Sequence, residues 1–254
     1  MPGRPLCRLP GRLSLRRLLA TAALLGATAL AQAAPPFRDD MAQRTLACTA
    51  CHGEQGRAGP DGYYPRLAGK PAGYLYNQLL NFRDGRRHYG LMTHMVSLMS
   101  DAYLAELARY FAAMQVPYPP PAVAPVAPAP EALLRGEKLA RQGDEVVKLP
   151  ACIQCHGERL MGTQPNVPAL LGLPADYLMA QLGGWKTGQR KALTPDCMTS
   201  VVRRLSDADA LAVVTWLAAQ PVPADTAPAA VPPASAPPPP ELRCGSAPLP
   251  GATP

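Results

Sequence analysis

The pentapeptide Cys-x-x-Cys-His occurs twice in this 254-residue chain, as Cys48-Thr49-Ala50-Cys51-His52 and as Cys152-Ile153-Gln154-Cys155-His156. Two thiols three positions apart can each add across one haem vinyl group, and the histidine that follows then lies beneath the iron. A lone Cys-x-x-Cys could be a redox dithiol or half of a zinc site. The added histidine, present in both copies, points instead to two covalently attached haem c groups. Cys48, Cys51, Cys152 and Cys155 are then the attachment residues, and His52 and His156 the proximal iron ligands.

The chain opens with five arginines, continues into an apolar run from Leu18 to Leu30 and reaches Ala31-Gln32-Ala33, the layout of a secretory leader cleaved after residue 33. That run is too short for an ordinary membrane span, and no later segment approaches one. The expectation is a soluble periplasmic protein. Without the leader's arginines the formal charge of +7 falls to +2, and four haem propionates take it to about −2. With no basic run beyond the leader and no nucleic-acid-binding motif, nucleic acid is excluded as a partner. Of the seven cysteines, Cys7 lies in the leader and the haem motifs use four. Cys197 and Cys244 remain and could pair in an oxidising compartment, although spacing does not establish that they meet.

Pro/Ala-rich stretches divide the rest. Residues 34–116 are expected to form one haem domain, 117–130 an extended linker, 131–220 a second haem domain and 221–254 a disordered tail. Each domain is small enough that its own side chains make a marginal core, and a buried haem supplies apolar volume. The two domains are an internal duplication. Pro71-Ala72-Gly73-Tyr74-Leu75 matches Pro174-Ala175-Asp176-Tyr177-Leu178, and Gln78-Leu79 matches Gln181-Leu182. Phe82 falls opposite Trp185, Arg87 opposite Arg190, and Ser100-Asp101 opposite Ser206-Asp207.

Helix signals follow the same map. Ser100 and Ser206 are N-caps, with Asp209 completing a capping box. The stripes Leu104, Leu107, Ala108, Phe111 and Leu211, Val214, Leu217 have helical spacing, and Pro71 and Pro174 open the middle helices. No run alternates with period two, so the fold class is all-α: two tandem cytochrome c domains, each built around one covalently attached haem.

The duplication also selects the sixth ligands. Aligning Ser100 with Ser206 places Met92 on Met198, Met95 on Val201 and Met99 on Leu205. Methionine recurs only at the first pair, so Met92 and Met198 are assigned as distal ligands, and Met95 and Met99 as packing residues. His88 and His94 have no histidine counterparts and read as exposed loop residues. Pro65 and Pro168 are candidates for the backbone carbonyl that orients each proximal histidine.

Together these motifs resemble the diheme class I cytochromes c known as cytochrome c4. The similarity includes Cys51-His52-Gly53 and Cys155-His156-Gly157, the segment Pro65 to Gly69, Tyr74-Leu75 with Gln78-Leu79, Phe82 to Gly85, and a methionine followed by Ser-Asp in each unit. It spans residues 37–116 and 131–220. The resemblance implies His/Met-ligated haems, His52 with Met92 and His156 with Met198, and an electron carrier rather than an enzyme. The partners it implies are transient redox proteins such as a quinol-oxidising complex and a terminal oxidase. The linker is longer and richer in proline than the family's, the tail is additional, and the first domain lacks the helix start Arg135-Gly136-Glu137 of the second. One alternative is a cytochrome subunit of a dehydrogenase complex, for example with a sulfide-oxidising flavoprotein. Another is a diheme thiosulfate-oxidising enzyme, suggested by Cys197 standing beside Met198.

Overall fold

Each haem motif is followed by the same succession of helices in the computed structural model, which describes residues 38–59, 62–120, 127–230 and 242–251. The expected leader, residues 1–33, lies outside the described residues, as do parts of the linker and tail. The chain divides into residues 1–43 and 44–254. A one-turn helix, α1 (Met41–Arg44), stands at that boundary, and residues 44–254 hold both haem motifs.

In the first half α2 (Leu46–His52) carries the haem motif and is followed by α3 (Ala72–Arg83), α4 (Gly90–Val96) and α5 (Asp101–Ala112). The second half contains α6 (Pro130–Gln142), the one-turn α7 (Ile153–His156) with its haem motif, α8 (Ala175–Thr187), α9 (Cys197–Val202) and α10 (Asp207–Ala219). Among the described residues there are only isolated β-bridges and no strand. Both haem helices stop on a glycine, Gly53 (φ +74°) and Gly157 (φ +80°). At Gly53 a Cβ would sit 2.1 Å from the Ala58 carbonyl oxygen, so only glycine lets the chain turn sharply after the histidine.

The capping signals are realised. Ser100 accepts from Tyr103 N–H, and Ser206 accepts from Asp209 N–H while its hydroxyl bonds the Asp209 carboxylate. Pro71 and Pro174 take the N-cap position, one residue earlier than expected. Leu104, Leu107, Ala108 and Phe111 are all buried as their spacing predicts. In α10 the expected stripe is wrong at one position: Val214 and Leu217 are buried, but Leu211 is 58% exposed. This helix is apolar nearly all round, so period alone does not choose its inner face. Contact with α6 and α8 chooses it, burying Ala210, Val213 and Trp216 instead. Gly136 permits the α6–α10 approach, since a Cβ there would lie 2.2 Å from the Ala212 carbonyl oxygen.

The halves meet through a symmetrical exchange. Arg87 and Arg190 form an antiparallel bridge, flanked by His88 N–H to Gln189 O (3.1 Å) and Lys191 N–H to Arg86 O (2.7 Å). Arg87 donates to Gln78 (3.1 Å) and across to Gln181 (2.7 Å), while Arg190 donates to Gln181 (2.6 Å) and across to Gln78 (3.0 Å).

The Pro/Ala-rich stretches are not simply solvated. Arg66 donates to the Val116 and Pro117 carbonyls and stacks 3.9 Å from the Tyr118 ring centroid. A segment without internal hydrogen bonds leaves its carbonyls free to accept from a buried guanidinium. Pro130, placed in the linker on composition, is the first residue of α6. In the tail, expected to be disordered, the described residues are tied down by a Cys197–Cys244 disulfide, by Gly245 N–H to Pro195 O (2.7 Å) and by Ala247 N–H to Asn77 Oδ1 (2.8 Å). Composition cannot register a covalent anchor such as the Cys197–Cys244 bond.

Candidate functional site

His52 and His156 are the last residues of α2 and α7, and both are buried. His52 Nδ1 lies 2.8 Å from the Pro65 carbonyl oxygen, and His156 Nδ1 lies 2.7 Å from that of Pro168. A carbonyl only accepts, so each Nδ1 carries the proton and each Nε2 keeps its lone pair for a metal. Burial lowers both histidine pKa values, against the opposite pull of the proline carbonyls. The neutral imidazole is the ligating form.

The cysteines do not suit the competing readings of the motif. Burial raises the Cys48 pKa and pushes that of Cys152 up to about 11, whereas a redox dithiol needs a depressed thiol. Among the described residues no three His, Cys, Asp or Glu side chains cluster as a zinc site needs.

A cavity of about 630 Å³, within the range of cofactor pockets, is lined by Cys48, Cys51, His52, Phe82 and Met92 and reaches across the interface to Gln181 and Arg190. Met92 stands in the first turn of α4, and Met198 in the first turn of α9. Met99 also lines the cavity and is half-buried, but Met95, expected to pack, is 41% exposed at its rim. His88 and His94 are both exposed, the latter on α4 rather than in a loop. Cys197, the basis of the enzyme alternative, has its sulfur committed to Cys244.

The charges around this cavity are distinctive. Lys70 and Arg190 are 5% and 7% exposed, and Arg87 lies beside them. Among the described residues no carboxylate forms an ion pair with any of the three. Burial lowers the pKa of Lys70 and Arg190, and the neighbouring Arg87 lowers Arg190 further. Buried cations served only by amides and a phenol are costly unless an anion joins them. Trp185 adds a buried indole N–H with no partner among the described residues, its ring 3.9 Å from the Arg190 guanidinium. The first half offers Phe82 against Arg87 at 4.5 Å. The propionates of two haems would meet this demand for acid groups, so the donor set fits the cofactor. Gln78, Gln181, Arg87 and Arg190 were visible in the sequence as matched pairs, but their shared task emerges only when the halves touch. Lys70 has no basic counterpart, since Leu173 stands at its place, and carried no signal.

No family model matches the chain. The thiosulfate dehydrogenase electron acceptor of Thiomonas intermedia (strain K12) is 41% identical, over 82% of this chain and 93% of that protein. Cytochrome c4 of Pseudomonas aeruginosa is 33% identical, over 76% of this chain and 92% of its own. The chain belongs to the cytochrome c4 family. As a cytochrome c4-type protein it is a diheme c-type electron carrier with two covalently attached haem c groups and an all-helical fold. Among solved structures, thiosulfate dehydrogenase (TsdBA) from Marichromatium purpuratum aligns with a TM-score of 0.59 at 32% identity. That match covers 69% of this chain and 36% of that one, so the chain spans about a third of the larger protein's length. Among the described residues no helix is long and apolar enough to cross a membrane.

Proposed function

We propose that this cytochrome c4-type protein is the periplasmic electron acceptor of a thiosulfate dehydrogenase and passes the electrons on to a further respiratory acceptor such as a terminal oxidase. The 41% identity to a thiosulfate dehydrogenase electron acceptor across nearly the whole of that protein carries this reading. It favours a dehydrogenase as the donor over a quinol-oxidising complex. Thiosulfate then belongs to the partner's chemistry rather than to catalysis at Cys197, whose sulfur is in a disulfide.

The haem iron supplies a one-electron couple; the chain's residues hold it and shape access to it. Cys48, Cys51, Cys152 and Cys155 attach the haems, His52 and Met92 ligate the first iron, and His156 and Met198 the second. Support comes from the two histidine-to-proline-carbonyl bonds and from the methionines' matching places in α4 and α9. Lys70, Arg87 and Arg190 would neutralise the haem propionates, since all three line the cavity at the junction of the halves. Tyr63, Leu91 and Met95, exposed at the cavity mouth, form an apolar rim of the kind a transient redox partner covers.

The test mixes oxidised holoprotein with a purified thiosulfate dehydrogenase and follows haem absorbance after thiosulfate is added. Both haems are expected to become reduced when all three components are present, with no reduction when the dehydrogenase is left out. Failure of reduction in the complete mixture would rule the assignment out.

A further inference from the structure

The duplication makes one asymmetry legible. In the register that aligns Ser100 with Ser206, Cys197 corresponds to Leu91, which is 61% exposed on α4. Cys197 is instead the first residue of α9 and is bonded to Cys244, immediately before Met198. From that bond the tail runs along the approach to α9. Gly245 donates to the Pro195 carbonyl, and a Cβ on Gly245 would stand 2.4 Å from the Leu193 carbonyl oxygen and 2.6 Å from that of Thr194. Such backbone-on-backbone contact excludes any larger residue. Ser246 then accepts from Asn166 (2.9 Å).

Beyond this point the tail crosses to the first half. Asn77 on α3 is buried and grips the backbone of Ala247 from both sides, accepting from its N–H (2.8 Å) and donating to its carbonyl (3.2 Å). Arg109 on α5 donates to the Pro250 carbonyl. One short segment is therefore covalently joined to the helix that carries Met198 and hydrogen-bonded to two helices of the other half. Nothing equivalent holds α4 among the described residues.

We propose that residues 244–251 form a strap, locked by the Cys197–Cys244 disulfide and anchored on Asn77, that holds α9 in place and so keeps Met198 on the second haem iron. Cys197, Cys244 and Asn77 are positioning residues in this account, which rests on Met198 being the ligand. A methionine ligand on a six-residue helix is displaced whenever that helix moves away, and the strap lowers the population of the displaced state. An exogenous ligand binds only that state, so its apparent affinity reports the population directly.

The experiment uses oxidised holoprotein and imidazole as the competing ligand. The two haems are read separately through the paramagnetically shifted methyl signals of the ligated methionines in nuclear magnetic resonance of that ferric protein, assigned with Met92→Ala. In the Cys197→Ser/Cys244→Ser variant, imidazole affinity at the second haem is expected to rise about tenfold, with the first haem unchanged. Asn77→Ala, although located in the first half, is expected to raise the second haem's affinity by a smaller factor and to leave the first haem's unaltered. Unchanged affinity at the second haem in the double variant overturns the strap, as does an equal change at both haems, the mark of general loosening. A second haem with no methionine signal in the unaltered protein overturns the ligand assignment, and the strap with it.

Discussion

At the first haem site Tyr63, Leu91 and Met95 stand exposed around the mouth of a cavity. At the second, Asn166 and Cys197, the latter aligned with Leu91, are engaged by Ser246 and Cys244 of the tail. The two halves share haem motif, proximal carbonyl, middle helix and capped final helix, so the differences concentrate where the shared scaffold is not needed. Under the proposed site assignment, duplicated positions do the work common to both haems, which is attachment and orientation. Unduplicated positions differ in what they expose, Leu91 standing open where Cys197 is bonded to the tail.

Three pairs of substitutions probe that contrast. The largest effect is expected at the junction, where the halves contribute matched cations of unequal burial. Arg190→Met in the holoprotein should cost about 3 kcal/mol, because a propionate would lose its buried partner, and Arg87→Met should cost less, being less buried. Urea titrations monitored by haem absorbance measure both. Unchanged or increased stability in Arg190→Met would mean that no anion occupies this junction.

A middle-sized effect is expected at the helix contact described only in the second half. Gly136→Ala forces a Cβ into the Ala212 carbonyl and the Trp216 side chain, at a cost of about 1–3 kcal/mol. Gly90→Ala, at the start of α4, meets nothing within 4 Å and should stay within about 0.5 kcal/mol of the parent. Thermal melts that rank the two the other way would break this account of the α6–α10 crossing.

The smallest effect compares the caps. Ser206→Ala should cost about 1 kcal/mol, and Ser100→Ala less, since only Ser206 is reciprocated by an acid. The Asp209 pKa is depressed, chiefly by its bond to Arg135 and also by Ser206. A depressed carboxylate contributes stability that is present above its unfolded pKa and lost as pH falls through the folded value. The Ser206 penalty should therefore shrink toward that of Ser100 in acid, below the ordinary aspartate range. A gap between the caps that is constant with pH would remove Asp209 from the explanation.

Much of the site was legible because its parts are local or repeated. Cys-x-x-Cys-His is contiguous, and Pro65 and Pro168 follow the motifs at similar offsets, so the role of their carbonyls in accepting from the histidine rings could be anticipated from chain order. Lys70, Asn77 and Trp185 could not be found this way. Their significance depends on partners in the other half or in the tail, which are distant in sequence.

By itself the sequence determined the haem count, the helical class, the order of helices and the pairing of Met92 with Met198. Each is written in short-range spacing or in the register of the repeat. Only the tertiary structure decided which face of α10 is buried, how the halves join through Arg87 and Arg190, and that Cys197 meets Cys244. The physical reason is the same in all three cases. Burial, charge compensation and disulfide formation depend on distances through space, and residues far apart in the chain set those distances only once the elements have packed.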